Sequence, residues 1–161
     1  VDYASARELF EAARDAAIEC ERTRRMLQAM EESEGATGGG MGPRVSRGST
    51  SDPMRRVDAR IDREAVWHRR IEEDERVMDY ATGVCYGGET DGKGGVDALL
   101  GTAYADILWW RYLAAESWET VARMVGYSPR RCAELQAIAL DFVDANGIRA
   151  TIAGVRDGMR D

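Results

Sequence analysis

The chain is predicted to be all-α: an N-terminal antiparallel hairpin of two long helices, then a C-terminal three-helix bundle carrying a helix-turn-helix. Three observations predict it. Apolar residues in each periodic stretch recur in steps of three and four, as on one face of a helix. The two glycine clusters fall between such stretches, with no strand before them. Ser117 to Val143 reads as two short helices joined by a glycine-containing turn.

From Tyr3 to about Glu34 almost every residue is a good helix former. Tyr3, Ala6, Phe10, Ala13, Ala17, Cys20 and Leu27 form a seam, widened by Leu9, Ile18, Met26 and Met30, with charges of mixed sign between. The stretch 35–52 is rich in Gly, Ser and Thr and belongs to neither helix nor strand. It reads as a connection, or alternatively as a basic arm presenting Arg44 and Arg47. Asp52 is a suitable N-cap and Pro53 a suitable first helical residue for a second helix to about Tyr86. Its seam is expected at Val57, Ile61, Ile71, Met78 and Cys85, with Glu64, His68 and Glu75 in the same stripe. Pairing the two long helices buries both stripes, and the same stripes would serve a dimer. Thus 1–86 is expected to be a helical hairpin, 87–96 a glycine-rich linker, 97–147 a helix-turn-helix domain and 148–161 a C-terminal tail.

In the third part, Asp97 is expected to cap a helix carrying Leu99, Leu100, Ala103, Tyr104, Ile107, Leu108 and Tyr112. Trp109 and Trp110, being adjacent, cannot face the same core. Ser117 then caps a helix of about two turns built on Trp118, Val121, Ala122 and Val125. Gly126 ends it in a left-handed conformation, and Ser128-Pro129 starts the next helix with a capping hydroxyl and a proline in its first turn. Cys132, Leu135, Ala139 and Val143, flanked by Ile138 and Phe142, make the apolar stripe of that helix, and Asn146-Gly147 ends it. In the tail, Ile148, Ile152, Val155 and Met159 are spaced for one or two further turns.

At these residues the chain resembles a known family. Gly126-Tyr127-Ser128, Cys132, Leu135 and the Ala-x-Ala-Leu ending at Leu140 look like region 4 of sigma-70 family factors. Arg111-Tyr112, then Ser117-Trp118-Glu119, Val121-Ala122 and Gly126-Tyr127-Ser128, are similar to the sigma-region-4-like phage regulators of the ArpU and RinA type. Those are small phage or prophage proteins with a helical N-terminal half, and members commonly have a Ser-rich break before Asp-Pro, as at Ser51-Asp52-Pro53. The resemblance implies a sequence-specific, double-stranded-DNA-binding transcription regulator in the cytoplasm of a bacterial host, with RNA polymerase as a possible partner.

In a helix-turn-helix the start of the second helix enters the major groove. The candidate DNA-binding residues are therefore Ser128 at the cap, Arg130, Arg131, Ala133, Glu134 and Gln136. Arginine pairs bidentately with guanine or holds a phosphate, glutamate accepts from cytosine, and an exposed alanine can touch a thymine methyl. Gln136, further round, is expected to read adenine or contact a phosphate. Arg111, Arg123 and Arg149 are further candidates for phosphate contacts. The resemblance implies that these second-helix positions contact promoter DNA or its backbone. The chain departs from that family at Ala133, where a polar or basic reader is usual, and in having no lysine on the helix.

Composition limits the other possibilities. With 44% hydrophobic residues in 161, the chain can bury a core, and its net charge of −7 confines any DNA contact to a local patch. Three cysteines without paired spacing read as reduced, core-filling thiols. No membrane span, P-loop, dinucleotide-binding glycine pattern or zinc ligand set is visible, and the single histidine, His68, followed by Glu72, makes no hydrolytic triad. No cofactor, metal or enzymatic activity is expected. The rival function is a phage DNA-packaging protein of the small-terminase type, which also joins a helix-turn-helix to oligomerising helices; a third is a helix-turn-helix that contacts only protein. Self-association through the long helices, as a dimer, is expected under the first reading.

Overall fold

The computed structural model describes residues 2–37, 53–88 and 93–157. Among them there are seven α-helices and no strand: α1 (Ala6–Thr37), α2 (Pro53–Tyr86), α3 (Gly95–Leu99), α4 (Thr102–Leu108), α5 (Trp118–Val125), α6 (Pro129–Asn146) and α7 (Ile148–Ala153). A π-helical turn, Trp109–Leu113, continues α4. The all-α expectation is met. Most of the expected loop at 35–52 lies outside the described residues, including Arg44, Arg47 and the Asp52 cap, whereas 35–37 belong to α1.

The chain divides into two compact units, and the division does not follow the expected domains. One unit is Val1–Ile18 with Asp74–Asp161; the other is Glu19–Glu73. Each long helix contributes to both units. The reason lies in the core of the first unit. Ala6, Leu9, Phe10 and Ala13 from α1 and Ala81, Val84 and Cys85 from α2 pack with Val96, Ala105, Leu108, Tyr112, Leu113, Ala139, Leu140 and Val143. α3, α4, the π-helical turn and α6 have too little surface to bury their apolar faces among themselves, so the bases of the long helices complete the core. The Phe10 ring meets Tyr112 at 5.4 Å, and Tyr3 stacks on Tyr80 at 6.3 Å. Asp144 on α6 accepts the backbone N–H of Ala6 at 2.6 Å, closing the first turn of α1. Ser5 caps the same helix through the N–H of Glu8.

The expected linker at 87–96 is also packed where it is described. Gly94, Gly95 and Val96 are buried, and Gly87 and Gly94 approach each other backbone to backbone. The helix expected from Asp97 to Tyr112 is broken: α3 ends at Leu99, and α4 starts after Gly101. Asp97 lies in the first turn of α3 rather than at its cap, which is Gly94. Trp109 packs on the large core and Trp110 on a smaller one, with their rings edge to face at 5.0 Å. Tyr86 donates to Asp106 at 2.6 Å; burial first, and this bond second, hold its hydroxyl protonated well above the ordinary tyrosine range.

The tail is structured through 157. Thr151, on α7, is fully buried, and Ile152 packs on the core. Asn146 ties the end of α6 to residues 151–157, donating to Thr151 Oγ1 and to the Val155 carbonyl and accepting from the N–H of Asp157. Arg156 donates to the Leu99 carbonyl. Met159 lies outside the described residues.

Side-chain placement corrects two stripes. On α1, Ile18 is exposed, because at 100° per residue it falls away from the line through Ala6, Leu9, Ala13, Ala16 and Cys20. On α2, Val57, Ile61 and His68 are exposed. The covered seam instead runs through Arg60, Glu64, Trp67, Ile71, Asp74, Met78, Ala81 and Cys85 in alternating steps of four and three. In the second unit, Arg60 and Glu64 neutralise each other at 3.1 Å, and Arg70 bridges Glu19 of α1 at 3.2 Å. Cys20, Cys85 and Cys132 are buried and form no disulfide among the described residues.

Candidate nucleic-acid interface

Local chemistry builds the α5–turn–α6 segment as its sequence suggests. Ser117 is extended at the N-cap of α5, and its Oγ accepts the N–H of Thr120 at 3.3 Å. Gly126 closes α5 in the left-handed region (φ 80°, ψ 21°), donating to the Ala122 carbonyl. Ser128 repeats the N-cap for α6, with Oγ accepting from the N–H of Arg131 at 3.1 Å and Pro129 opening the helix. Only Tyr127 separates the left-handed cap of one helix from the N-cap of the next. Val121 and Ala122 of α5 then pack with Cys132 and Leu135 of α6 and Ile107 of α4 in the smaller core. Replacing Ser128 by alanine removes the acceptor for Arg131 and is expected to cost about 1 kcal/mol of stability in denaturant unfolding.

The exposed edge of α6 carries four of the six candidate residues: Arg130, Arg131, Ala133 and Glu134, with the exposed Ser128 at its cap. The Arg130 side chain is 92% exposed. Glu134 pairs with both arginines, with Arg130 at 3.6 Å and Arg131 at 3.2 Å. Exposed pairs within one helix contribute only about 0.2–0.5 kcal/mol, so a phosphate or base edge can displace them at little cost.

Gln136 is the exception. It is 6% exposed, inside the stripe of Cys132, Leu135, Ala139, Leu140 and Val143. The 100° step of the helix puts residue 136 between 132 and 140 on that face, while Ile138, expected to flank the core, falls away from it and is 45% exposed. A base or phosphate therefore cannot reach Gln136 in this conformation. Met124 and Tyr127 are half-exposed.

Of the three outlying arginines, Arg123 is exposed on α5 and Arg149 bridges Asp2 at 3.7 Å. Arg111 is held: it donates to the Glu116 carbonyl at 3.0 Å and lies over the Trp118 ring at 4.7 Å. Arg14 of α1 donates to the same carbonyl, a juxtaposition invisible in a sequence that places these residues far apart. All of the net negative charge falls in the unit containing α5 and α6, while Arg, Asp and Glu balance in Glu19–Glu73. Among the described residues no group of three or more His, Cys, Asp or Glu could hold a metal, and no helix is long and apolar enough to cross a membrane.

Comparison of the chain with protein-family models, curated proteins and solved structures finds no match.

Proposed function

We propose that the chain is a sequence-specific DNA-binding regulator of transcription, of phage or prophage origin and sigma-region-4-like, reading the major groove with the start of α6. The observation that carries this reading is the exposed Arg130, Arg131, Ala133 and Glu134 edge at the head of a helix preceded by a tight capped turn. Its chemistry offers guanine-pairing or phosphate-holding guanidiniums, a carboxylate for cytosine and a methyl for thymine. The surrounding acidity confines binding to this edge, and its salt dependence scales with the number of phosphates the arginines engage. The test is a titration of the chain against duplex from its own genomic neighbourhood and against random duplex, across a salt series. Specific binding that falls at least about tenfold in the Arg130→Ala/Arg131→Ala variant supports the reading. Equal affinity for both duplexes, or an unaffected variant, refutes it.

A packaging role is the second reading. Met54, Val57 and Ile61 fall on one face of α2 and are all about half-exposed or more, as an oligomerising surface requires. A closed ring of about eight or more copies by native mass would favour packaging, whereas a monomer or dimer favours regulation.

A further inference from the structure

Two guanidinium groups meet beside the start of α5 with no acid between them. Arg14 donates through Nη1 to the carbonyls of Arg111 at 2.6 Å and Glu116 at 3.3 Å. Arg111 donates through its own Nη1 to the same Glu116 oxygen at 3.0 Å. None of the ion pairs among the described residues includes either arginine. Glu11, one turn before Arg14, is bridged to Arg7 instead. In a chain with more acids than bases, two half-buried like charges without a carboxylate partner carry a Coulomb cost. Burial first, and the charge of Arg14 second, push the Arg111 pKa downward.

Both groups also keep donors beyond those contacts. A guanidinium has five N–H donors, and each of these uses only Nη1 for its carbonyl partners. Trp118 fixes the plane of the Arg111 group from one face. The backbone that brings the pair together passes from the π-helical turn into Ala115, whose φ of 56° is costly for a residue with a side chain. The positive end of the α5 dipole begins immediately beyond, at Ser117 and Trp118.

We infer that Arg14 and Arg111 form a binding site for a phosphate oxyanion at the start of α5. A tetrahedral oxyanion accepts from the free Nε and Nη2 edges of both groups and neutralises the pair. The site stands without the DNA-binding reading; assigning its oxyanion to the backbone of a duplex rests on that reading. The remaining source is free phosphate.

The experiment is calorimetric titration of the full chain with inorganic phosphate at low ionic strength, beside duplex binding across a salt series. Saturable binding of one phosphate per chain is expected, weakened at least about tenfold by Arg14→Gln or Arg111→Gln and unchanged by Arg123→Gln. No saturable phosphate binding by the wild-type chain overturns the site, leaving the pair as a staple for 111–116, and that result does not depend on whether a variant folds. If Arg14→Gln also reduces the slope of log affinity against log salt for duplex by about 0.9, the oxyanion is a backbone phosphate. If duplex binding is unchanged while phosphate binding is lost, the ligand is free phosphate. Normal phosphate binding in a chain that binds no duplex would refute the proposed function and leave this site standing.

Discussion

Phe10→Ala will destabilise the unit containing α5 and α6 by about 3–5 kcal/mol, although residue 10 lies more than a hundred positions before Ser117. Phe10 is fully buried, its ring 5.4 Å from Tyr112, in a core to which α1, α2, α4 and α6 all contribute. Truncation removes the ring from every one of those contacts at once, and helices fixed by several neighbours collapse only partly into the cavity. Urea unfolding followed by tryptophan fluorescence should show the midpoint falling by roughly 1–3 M. Trp109, Trp110 and Trp118 report from the C-terminal region and Trp67 from the other unit, so a Trp67→Phe background isolates the signal. An unmoved C-terminal transition would mean that 97–147 folds independently of the long helices, contrary to the shared core.

The second large effect is expected at Gly95. Its φ is +81°, and a Cβ built there would lie 2.5 Å from the Gly87 nitrogen and 2.6 Å from the Cys85 oxygen and Tyr86 nitrogen. All three are backbone atoms and cannot rotate away. Left-handed strain and overpacking together put the cost of Gly95→Ala at about 3 kcal/mol or more. Gly126→Ala is the control, since Gly126 has nearly the same φ, +80°, but no atom within 4 Å of its would-be Cβ. It should lose only about 1 kcal/mol, the conformational part. Thermal unfolding of the two variants separates the terms: equal losses would show that the close approach of 85–87 to Gly95 contributes nothing.

What the sequence by itself determined are the features set by neighbours along the chain. Capping needs a hydroxyl three residues before its N–H, and a left-handed cap needs a residue without Cβ, so Ser117, Gly126, Ser128 and Pro129 were legible without tertiary information. The long helices α1 and α2 followed from periodicity, as did the burial of Cys132, Leu135, Ala139 and Val143. The exposed Arg130, Arg131, Ala133 and Glu134 edge is the other side of that stripe.

Only the tertiary structure decided where each stripe is centred and which pieces share a core. A periodic pattern gives a helix face to within a residue or so, and a shift of one position turns the face by 100°. That uncertainty buried Gln136 and exposed Ile138, Ile18, Val57 and Ile61. The stretch 87–96 reads as a linker because glycine also serves loops, yet at Gly87, Gly94 and Gly95 the missing Cβ atoms let backbones touch. The bases of α1 and α2 complete the core of the C-terminal helices because those helices cannot cover their own apolar faces, and no local pattern records which distant segment will do it. The meeting of Arg14 with Arg111 is of the same kind: two ordinary charges in sequence become a paired site only when α1 is laid against the turn before α5.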